Sequence, residues 1–166
     1  MNRRTHLLVL GLVTPAVWAL WLYRRSHWLW VRHREWLALA VACFARVLTG
    51  IEIHPAALLD RTVAIAHGHG IVIGEGAVVG GDCQILQGVT LGARYFGQEG
   101  LEHGRVHPRL GKHVRVGANA VLLGAITVGD GAIIGAGAIV LQDVPPGAMA
   151  VGNPARILEA PNILRR

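Results

Sequence analysis

The stretch from Gly50 to Gly74, GIEIHPAALLDRTVAIAHGHGIVIG, places several proton-active groups among small and branched apolar residues. Histidine changes its charge near neutral pH, and a neighbouring carboxylate can hold its tautomer and stabilise its charged form. Side chains of these types carry out general acid–base chemistry, provided that a rigid element brings them together. The groups in this stretch are two acids and three histidines: Glu52, Asp60, His54, His67 and His69.

The composition divides the chain into two unlike parts. At 166 residues it is long enough for one domain with a substantial core. Hydrophobic residues make up 52% of it, yet all five tryptophans lie in the first half and nearly all of the 22 glycines follow Arg46. The two cysteines, Cys43 and Cys83, indicate no disulfide framework, which favours a reducing compartment such as the cytoplasm.

The chain is basic, with a formal net charge of +6 that is carried almost wholly by arginine. A basic surface attracts nucleic acid, an anionic membrane or a phosphorylated cofactor. No nucleic-acid-binding motif accompanies the charge, so we expect no nucleic-acid partner.

Residues 7–23 are uncharged and mostly apolar, and arginines flank them on both sides. These 17 residues are at the lower limit for a membrane-spanning helix, and Gly11 and Pro15 interrupt them. No clear A-x-A cleavage site marks a signal peptide. We interpret the segment as part of a packed helix pair that contacts the inner face of the membrane peripherally, with a span or a signal peptide as the alternatives.

The pattern is helical to about residue 48, and Thr49-Gly50 predicts a helix end. Beyond it, apolar residues recur every six positions, a period that fits neither a simple strand nor an α-helix. It is typical of a parallel β-helix of hexapeptide repeats, in which three units close one triangular coil. We therefore predict a mainly β fold with a helical segment at 1–48, the hexapeptide domain at 49–158 and a tail at 159–166. The periodic residues are Ile53, Leu59 and Ile65, then Ile73, Val79, Ile85 and Leu91, then Leu110, Val116, Leu122, Val128, Ile134 and Val140.

Two interruptions break the six-residue period. The step from Ile65 to Ile73 is eight residues and contains AHGHG. Between Leu91 and Leu110 a segment rich in glycine and charge is too long for the coil, and we expect it to protrude as a loop at 93–108. Loops on a rigid scaffold often carry function.

Several motifs give the chain a specific resemblance: TGIEIHPAA, HGHGIVIGEGAVVG, LQGVTLG and HPRLGKHVRVGANAVLLGAITVGDGAIIGAGAIVLQDVPPGAMAVGNPARI. From about residue 13 to residue 158 it resembles the serine acetyltransferase branch of the hexapeptide acyltransferases. The resemblance implies a left-handed coil, a homotrimer, and acetyl-CoA bound as acyl donor in the groove between neighbouring coils, without a metal. The family's helical domain also joins trimers into hexamers, and because it is shortened here we expect a trimer only.

The resemblance also implies catalytic roles. His67 stands at the position of the family's base, which takes the proton from an acceptor hydroxyl, and Glu52 at the position of its carboxylate partner. These two residues are fifteen positions apart, slightly less than one coil, and adjacent coils lie about 4.8 Å apart, which permits contact. His107, in the HP motif, corresponds to a second histidine near the acceptor and the thioester.

The other proton-active groups of the opening stretch have simpler interpretations. Asp60 has no counterpart with a family role and is read as a solvated acid. His54, in IHP, is read as a structural corner residue. His69 is the alternative base if His67 is not used.

Candidate acetyl-CoA contacts also come from the resemblance. The pantetheine arm lies flat along such a coil, so small residues and backbone amides bind it. The matching positions are Gly92, Ala93, Ala118 and Ala136, although turns explain these small residues equally well. Arg156, in NPARI, is placed to meet a phosphate group.

The acceptor site departs from the family pattern. Serine-selective members hold the amino acid with two aspartates and an arginine, and Met1, Ala66 and Val106 occupy those positions here, with Arg105 shifted by one. A zwitterion needs paired charges to offset its desolvation. We therefore predict a sugar hydroxyl of a polysaccharide or lipid-linked precursor as the acceptor, contacted by Arg105 and His107. L-serine held by different residues, or a catalytically silent trimeric coil, are the alternatives.

Overall fold

The computed structural model describes residues 14–94 and 106–159. Two helices come first, α1 at Pro15–Trp30 and α2 at Glu35–Thr49. The strands of the described ranges follow them and wind into a left-handed β-helix. The mainly β fold that the six-residue period predicts is confirmed.

The helix ends follow from a few local residues. Pro15 opens α1, where its missing N–H costs no helical hydrogen bond. Glu35 lies in the first turn of α2, near the positive end of the helix dipole. Gly50 ends α2 in the left-handed conformation, with φ at 68°, and its N–H donates to the carbonyl oxygen of Arg46 at 2.8 Å. This conformation costs glycine little, so the chain turns from helix into coil at the residue pair that predicts it.

The strands are short, and they form three sheets, one on each side of the triangular coil. Their bounds are β1 Glu52–Ile53, β2 Leu58–Leu59, β3 Ala64–Ile65, β4 Val72–Ile73, β5 Val78–Val79, β6 Gln84–Ile85, β7 Thr90–Gly92, β8 Arg109–Leu110, β9 Arg115–Val116, β10 Val121–Leu123, β11 Thr127–Val128, β12 Ile133–Ile134, β13 Ile139–Val140, β14 Met149–Val151 and β15 Arg156–Leu158. Sheet 1 is β1-β4-β7-β10-β13, sheet 2 is β2-β5-β8-β11, and sheet 3 is β3-β6-β9-β12-β14-β15. Pairing is parallel except between β14 and β15, which run antiparallel.

The residues with the six-residue period form the core of the coil. Eleven of the thirteen are buried, and Leu59 and Ile65, in the first coil, are partly buried. Each is in register with its equivalent one coil away; in sheet 1, for example, Ile73 lies between Ile53 and Leu91. Burying a branched aliphatic side chain contributes about 1.5–3 kcal/mol, so this column contributes strongly to the coil's stability.

Three corners join the sheets. The first corner leads from sheet 1 to sheet 2, the second from sheet 2 to sheet 3, and the third from sheet 3 to the next strand of sheet 1. The extra pair of residues between Ile65 and Ile73 lies at the third corner, and the long segment between Leu91 and Leu110 leaves from the first corner. The core column continues in register across both, so the insertions do not alter it. Of the predicted loop at 93–108, residues 95–105 lie outside the described residues.

Polar contacts bind α1 to the first coil. The buried Tyr23 hydroxyl donates to the carbonyl oxygen of Ala57 at 2.6 Å and accepts from the N–H of Leu59 at 3.2 Å. His27 Nδ1 lies 2.7 Å from the carbonyl oxygen of Pro55, which it reaches as a donor. Burial raises the pKa of Tyr23 above its ordinary value, so the hydroxyl stays protonated and able to donate.

No helix in residues 14–94 and 106–159 is long and apolar enough to cross a membrane. Instead, α1 and α2 pack on each other, and small side chains are among their buried residues, including Ala16, Ala19, Ala38 and Ala45. From Pro15 onward the helices pack as the sequence predicts, while residues 7–13 of the apolar segment lie outside the described residues.

Replacing Tyr23 by phenylalanine should destabilise the protein by about 1–3 kcal/mol, because the buried carbonyl of Ala57 and the N–H of Leu59 would lose their partner. The measurement is the denaturant midpoint at a fixed protein concentration. Trp21→Phe, on the exposed side of the same helix, is the matched control and should change stability by less than about 0.5 kcal/mol. Equal midpoints for Tyr23→Phe and wild type would show that the hydroxyl does not bind the helix to the coil.

Candidate active site

His67 stands on the extra pair of residues at the third corner. It is exposed and adopts a left-handed conformation, with φ at 63°, which is uncommon for a residue other than glycine and is often found at functional sites. The next residue, Gly68, is also left-handed, and a Cβ atom added to it would lie 2.6 Å from Ile51 Cδ1. Gly68 therefore lets the backbone press against the core while His67 remains at the surface.

His69, the alternative base, is placed differently. Its imidazole packs on Gly50, where an added Cβ atom would lie 2.6 Å from His69 Nδ1. Its backbone carbonyl accepts from the N–H of Gly88 in the next coil, at 2.9 Å. The ring therefore lies against the junction between α2 and the coil.

Glu52 lies on β1, which begins just beyond the same corner. Its carboxylate forms an ion pair with Arg46 of α2 at 3.2 Å, with the glutamate side chain 44% exposed and the arginine 65% exposed. Among the described residues no hydrogen bond or ion pair joins Glu52 to His67. The two residues border one corner without a hydrogen bond or ion pair between them in the described structure, and the arginine is a neighbour that sequence spacing did not reveal.

His107 precedes β8 at the first corner, and its side chain packs against the turn that joins β4 to β5. Its ring packs on Gly74 and Gly76, where added Cβ atoms would lie 2.5 Å and 3.0 Å from it. The N–H of Gly76 donates to His107 Nδ1 at 3.3 Å, so in the neutral ring the proton is on Nε2. Partial burial lowers the pKa of His107, against the carboxylate of Glu75, which raises it, while the nearby His54 lowers it further.

His54 lies at the first corner of the first coil, one coil before the turn that carries Gly74 and Gly76. The N–H of Ala56 donates to its Nδ1 at 3.2 Å, and its ring meets Trp30 edge to face, with centroids 5.2 Å apart. These are the contacts of a residue that fixes a turn and a helix against it. Asp60, likewise, binds its own turn, since its Oδ1 accepts from the N–H and the hydroxyl of Thr62.

The two catalytic histidine candidates lie at opposite edges of sheet 1. His67 precedes β4 at the third corner, and His107 precedes β8 at the first corner. A single chain therefore does not bring the two imidazoles together.

The candidate acetyl-CoA contacts divide between the same two corners. Ala118 and Ala136 stack at the third corner, where the N–H of Gly137 donates to the carbonyl oxygen of Ala118 at 2.8 Å. Arg156, on β15, pairs in register with Val151 near the end of that column. Gly92 and Ala93 lie instead at the first corner, as His107 does.

The acceptor candidates are only partly described. Arg105 and Met1 lie outside the described residues, while Ala66 and Val106 are both partly exposed. An apolar groove lined by Pro15, Trp18, Leu48 and Thr49 lies on the helices and contains none of the candidate groups. Over residues 14–94 and 106–159, no group of three histidine, cysteine or acidic side chains is arranged to hold a metal ion.

Two family models match the coil. The bacterial transferase hexapeptide model, described as six repeats, matches residues 107–142. The model for the hexapeptide repeat of succinyl-transferase matches residues 70–94. Both matches agree with the stacked repeats of the fold.

Curated relatives match over most of the chain. It is 46% identical over 144 residues to the serine acetyltransferase of Mycobacterium tuberculosis, covering 87% of this chain and 61% of the relative. It is 47% identical over 147 residues to the serine acetyltransferase of Helicobacter pylori (strain 26695), covering 89% of this chain and 83% of the relative. The chain thus spans about three fifths of one relative and most of the other.

Solved structures agree. The serine acetyltransferase of Neisseria gonorrhoeae in complex with serine superposes with a TM-score of 0.83 at 38% identity, covering 90% of this chain and 60% of that one. A serine acetyltransferase in complex with CoA gives a TM-score of 0.80 at 41% identity, covering 87% and 57%.

These relatives contradict the sugar hydroxyl predicted as the acceptor, because proteins named serine acetyltransferase match across nearly the whole chain. The prediction assumed that the site lacks charged groups altogether because this chain has Ala66 and Val106 where serine-selective relatives have charged residues. A zwitterion can be matched by charged groups at other positions, provided that they reach the same space.

The lowered pKa of His107 gives a pH dependence with a definite sign. In the unfolded chain His107 binds a proton at its ordinary pKa of about 6.5. In the folded chain it does so only at a lower pH, so the protein loses stability as the pH falls below about 6.5. Histidine NMR titration, assigned by His107→Gln, should place the His107 pKa below the ordinary value. Wild type should also lose more stability than His107→Gln between pH 7.5 and pH 5.5. A His107 pKa at or above the ordinary value would contradict the burial described here.

Proposed function

The chain belongs to the serine acetyltransferase family, and from that premise we propose that it transfers an acetyl group from acetyl-CoA to the hydroxyl of L-serine. The observation that carries the proposal is the 47% identity to a serine acetyltransferase over 89% of the chain. The surface histidine at the third corner supports it, because an alcohol needs a base to become a nucleophile near neutral pH.

His67 acts as that base. It takes the hydroxyl proton as the serine oxygen forms a bond to the thioester carbonyl carbon. When the resulting tetrahedral species collapses, the carbon–sulfur bond breaks, and the proton held by His67 passes to the CoA sulfur. The products are O-acetyl-L-serine and CoA, and His67 is neutral again.

Glu52 and His107 assist this transfer. The Glu52 carboxylate, positioned by Arg46, stabilises the imidazolium that forms at His67. His107 is kept neutral by partial burial, and its Nε2–H is left to donate because Nδ1 is occupied by the N–H of Gly76. A neutral donor of this kind suits the oxygen of the thioester or of the acceptor.

Acetyl-CoA lies along the third corner of one chain. Ala118 and Ala136 carry only methyl side chains, which leave room there for the pantetheine arm. Arg156, exposed near the end of the column, supplies a positive charge for a phosphate group. Gly92 and Ala93 contribute from the first corner.

The active unit is a homotrimer. His67 with its coenzyme track and His107 with Gly92 lie at different corners, so a complete site needs the third corner of one chain to face the first corner of another. Repeating that contact around a threefold axis closes a ring and forms three equivalent sites.

His67→Ala should lower serine-dependent CoA release by about 10²–10⁴-fold through loss of the base, with the oligomer intact. His69→Ala, two positions away, is the matched control and should retain activity. If His67→Ala kept near wild-type turnover, a residue other than His67 would have to be the base. A wild-type protein that releases CoA no faster with L-serine than without it would refute the proposed acceptor.

The shared site predicts complementation between inactive chains. His67→Ala and His107→Ala trimers should each be inactive alone. After they are unfolded together and refolded, some interfaces combine an intact His67 with an intact His107, so activity should return. Refolding each variant by itself is the control. If the mixed trimers recovered no activity, both histidines would have to act in a site formed by a single chain.

We also propose that the helices touch an anionic membrane surface on the cytoplasmic side, where acetyl-CoA is available. Trp18, Trp21, Trp28 and Trp36 are exposed, and tryptophan is favoured at the membrane–water interface. Arginines accompany them: Arg25 lies over the Trp21 ring at 5.1 Å and Arg32 over the Trp28 ring at 3.8 Å. Glu35 is the sole acidic residue between positions 14 and 51, so this face suits anionic lipid.

The protein should therefore sediment with vesicles that contain anionic lipid and remain in the supernatant with purely zwitterionic vesicles. High salt should release it, and replacing Arg25 and Arg32 by glutamate should weaken binding. Replacement of Arg109 and Arg115 on the coil is the matched control. Equal binding to both vesicle types, or none to either, would contradict the membrane contact.

A further inference from the structure

One buried polar atom at the third corner has no hydrogen-bond partner. The side-chain oxygen of Gln87, Oε1, is buried and accepts no hydrogen bond. Among the partly and fully buried side chains of residues 14–94 and 106–159, no other buried nitrogen or oxygen lacks a partner. Buried polar groups in proteins are almost always paired, because an unpaired one costs free energy. The Gln87 side chain is therefore a candidate for a contact that one chain does not make by itself.

Gln87 belongs to the column of residues that stack at the third corner. The N–H of Gly88 donates to the carbonyl oxygen of His69 in the coil before, at 2.9 Å, and the carbonyl oxygen of Gln87 accepts from the N–H of Asn119 in the coil after, at 2.8 Å. Gln87 therefore follows His69 in the column, and Ala118, the residue before Asn119, comes next. This order places Gln87 between the turn that carries the proposed base and the alanines proposed to face the coenzyme.

The backbone carbonyls along this column are already paired from coil to coil. Those of His69 and Gln87 accept from the next coil, as does that of Ala118, which accepts from the N–H of Gly137 at 2.8 Å. A polar ligand that lies along the column must therefore find partners among side chains, and Ala118 offers only a methyl group. Gln87 carries an amide, with both an acceptor and donors. The residue as a whole is only partly buried, so a change of rotamer can turn the amide toward the surface.

We infer that Gln87 binds the amide of the pantetheine arm that lies closest to the sulfur of acetyl-CoA, and so holds the thioester beside His67. The inference rests on the proposed function, in which acetyl-CoA lies along the third corner. Two carbons separate the sulfur from this amide, a reach comparable with the spacing of adjacent coils, about 4.8 Å. A thioester at the turn of His67 therefore brings the amide to the next coil, where Gln87 lies. The amide N–H donates to Oε1, which gains the partner that it lacks within the chain.

The experiment compares two ligands on three full-length proteins. The ligands are CoA and 3′-phospho-ADP, which is the nucleotide part of CoA without the pantetheine arm. Gln87→Met keeps the length of the side chain and removes its hydrogen-bonding atoms. Gln84→Met is the matched control, since Gln84 lies three positions earlier and is exposed on sheet 3. Affinities are measured by calorimetry, together with serine-dependent CoA release and the denaturant midpoint without ligand.

Gln87→Met should weaken CoA binding by about 3- to 10-fold, because one hydrogen bond is lost, and should leave the affinity for 3′-phospho-ADP at the wild-type value. Its kcat/KM for acetyl-CoA should fall at least as far, while KM for L-serine stays unchanged. The denaturant midpoint should not fall, because the substitution removes no hydrogen bond within the chain. Gln84→Met should behave as wild type in every measurement.

Three outcomes would overturn the inference. An unchanged affinity of Gln87→Met for CoA would remove Gln87 from the coenzyme site. Equal weakening of CoA and 3′-phospho-ADP would mean that the substitution alters the corner as a whole, and a lower midpoint with unchanged CoA affinity would assign Oε1 a partner within the protein. Each of these results leaves serine acetylation standing. Wild type that binds CoA without acetylating serine would instead refute the proposed acceptor, while the comparison of the two ligands would still decide the role of Gln87.

Discussion

Stacking of one inward side chain on its equivalent in the next coil is the constraint on which the rest of the structure depends. The register from Ile53 through Ile73 and Leu91 leaves no freedom inside the coil. A one-residue shift would turn a core residue outward. Extra residues can therefore be accommodated only at a corner, where they project from the surface. His67 owes its exposed, left-handed position to this rule, and so does the departure of the chain after Leu91.

The junction between helix and coil shows how closely the parts are joined. Gly50 ends α2 and provides the space on which the His69 ring packs. Arg46, one turn earlier in α2, reaches the Glu52 carboxylate. The last turn of the helix therefore positions groups on both sides of the third corner, and the geometry around the proposed base depends on how α2 meets the coil.

The sequence predicts the features that depend on periodicity and leaves open those that depend on surface contacts. The strands, the core column, the helix end at Gly50 and the positions of both insertions follow from spacing and turn chemistry. The pairing of Glu52 with Arg46 does not, because an ion pair between exposed side chains leaves no periodic signal. The neighbours of His107 were also missed, since the chain reaches this residue after a segment that breaks the period. Gly74 and Gly76 were the available signal, because two glycines so close together allow another side chain, here the His107 ring, to pack against the backbone. The acceptor was predicted wrongly because matching charges were sought position by position.

Both ends of the coil are covered, and this bears on how the protein avoids self-association. A stack of parallel strands exposes unpaired N–H and C=O groups at each end, which can template further strands and lead to fibres. At one end, Tyr23 and Arg24 of α1 occupy backbone groups of the first coil. At the other end, β15 reverses direction against β14, and the N–H of Ala155 donates to the carbonyl oxygen of Ile139 at 2.8 Å. In the described residues these contacts engage backbone groups at both ends of the coil, which leaves fewer of them free to pair with the strands of another chain.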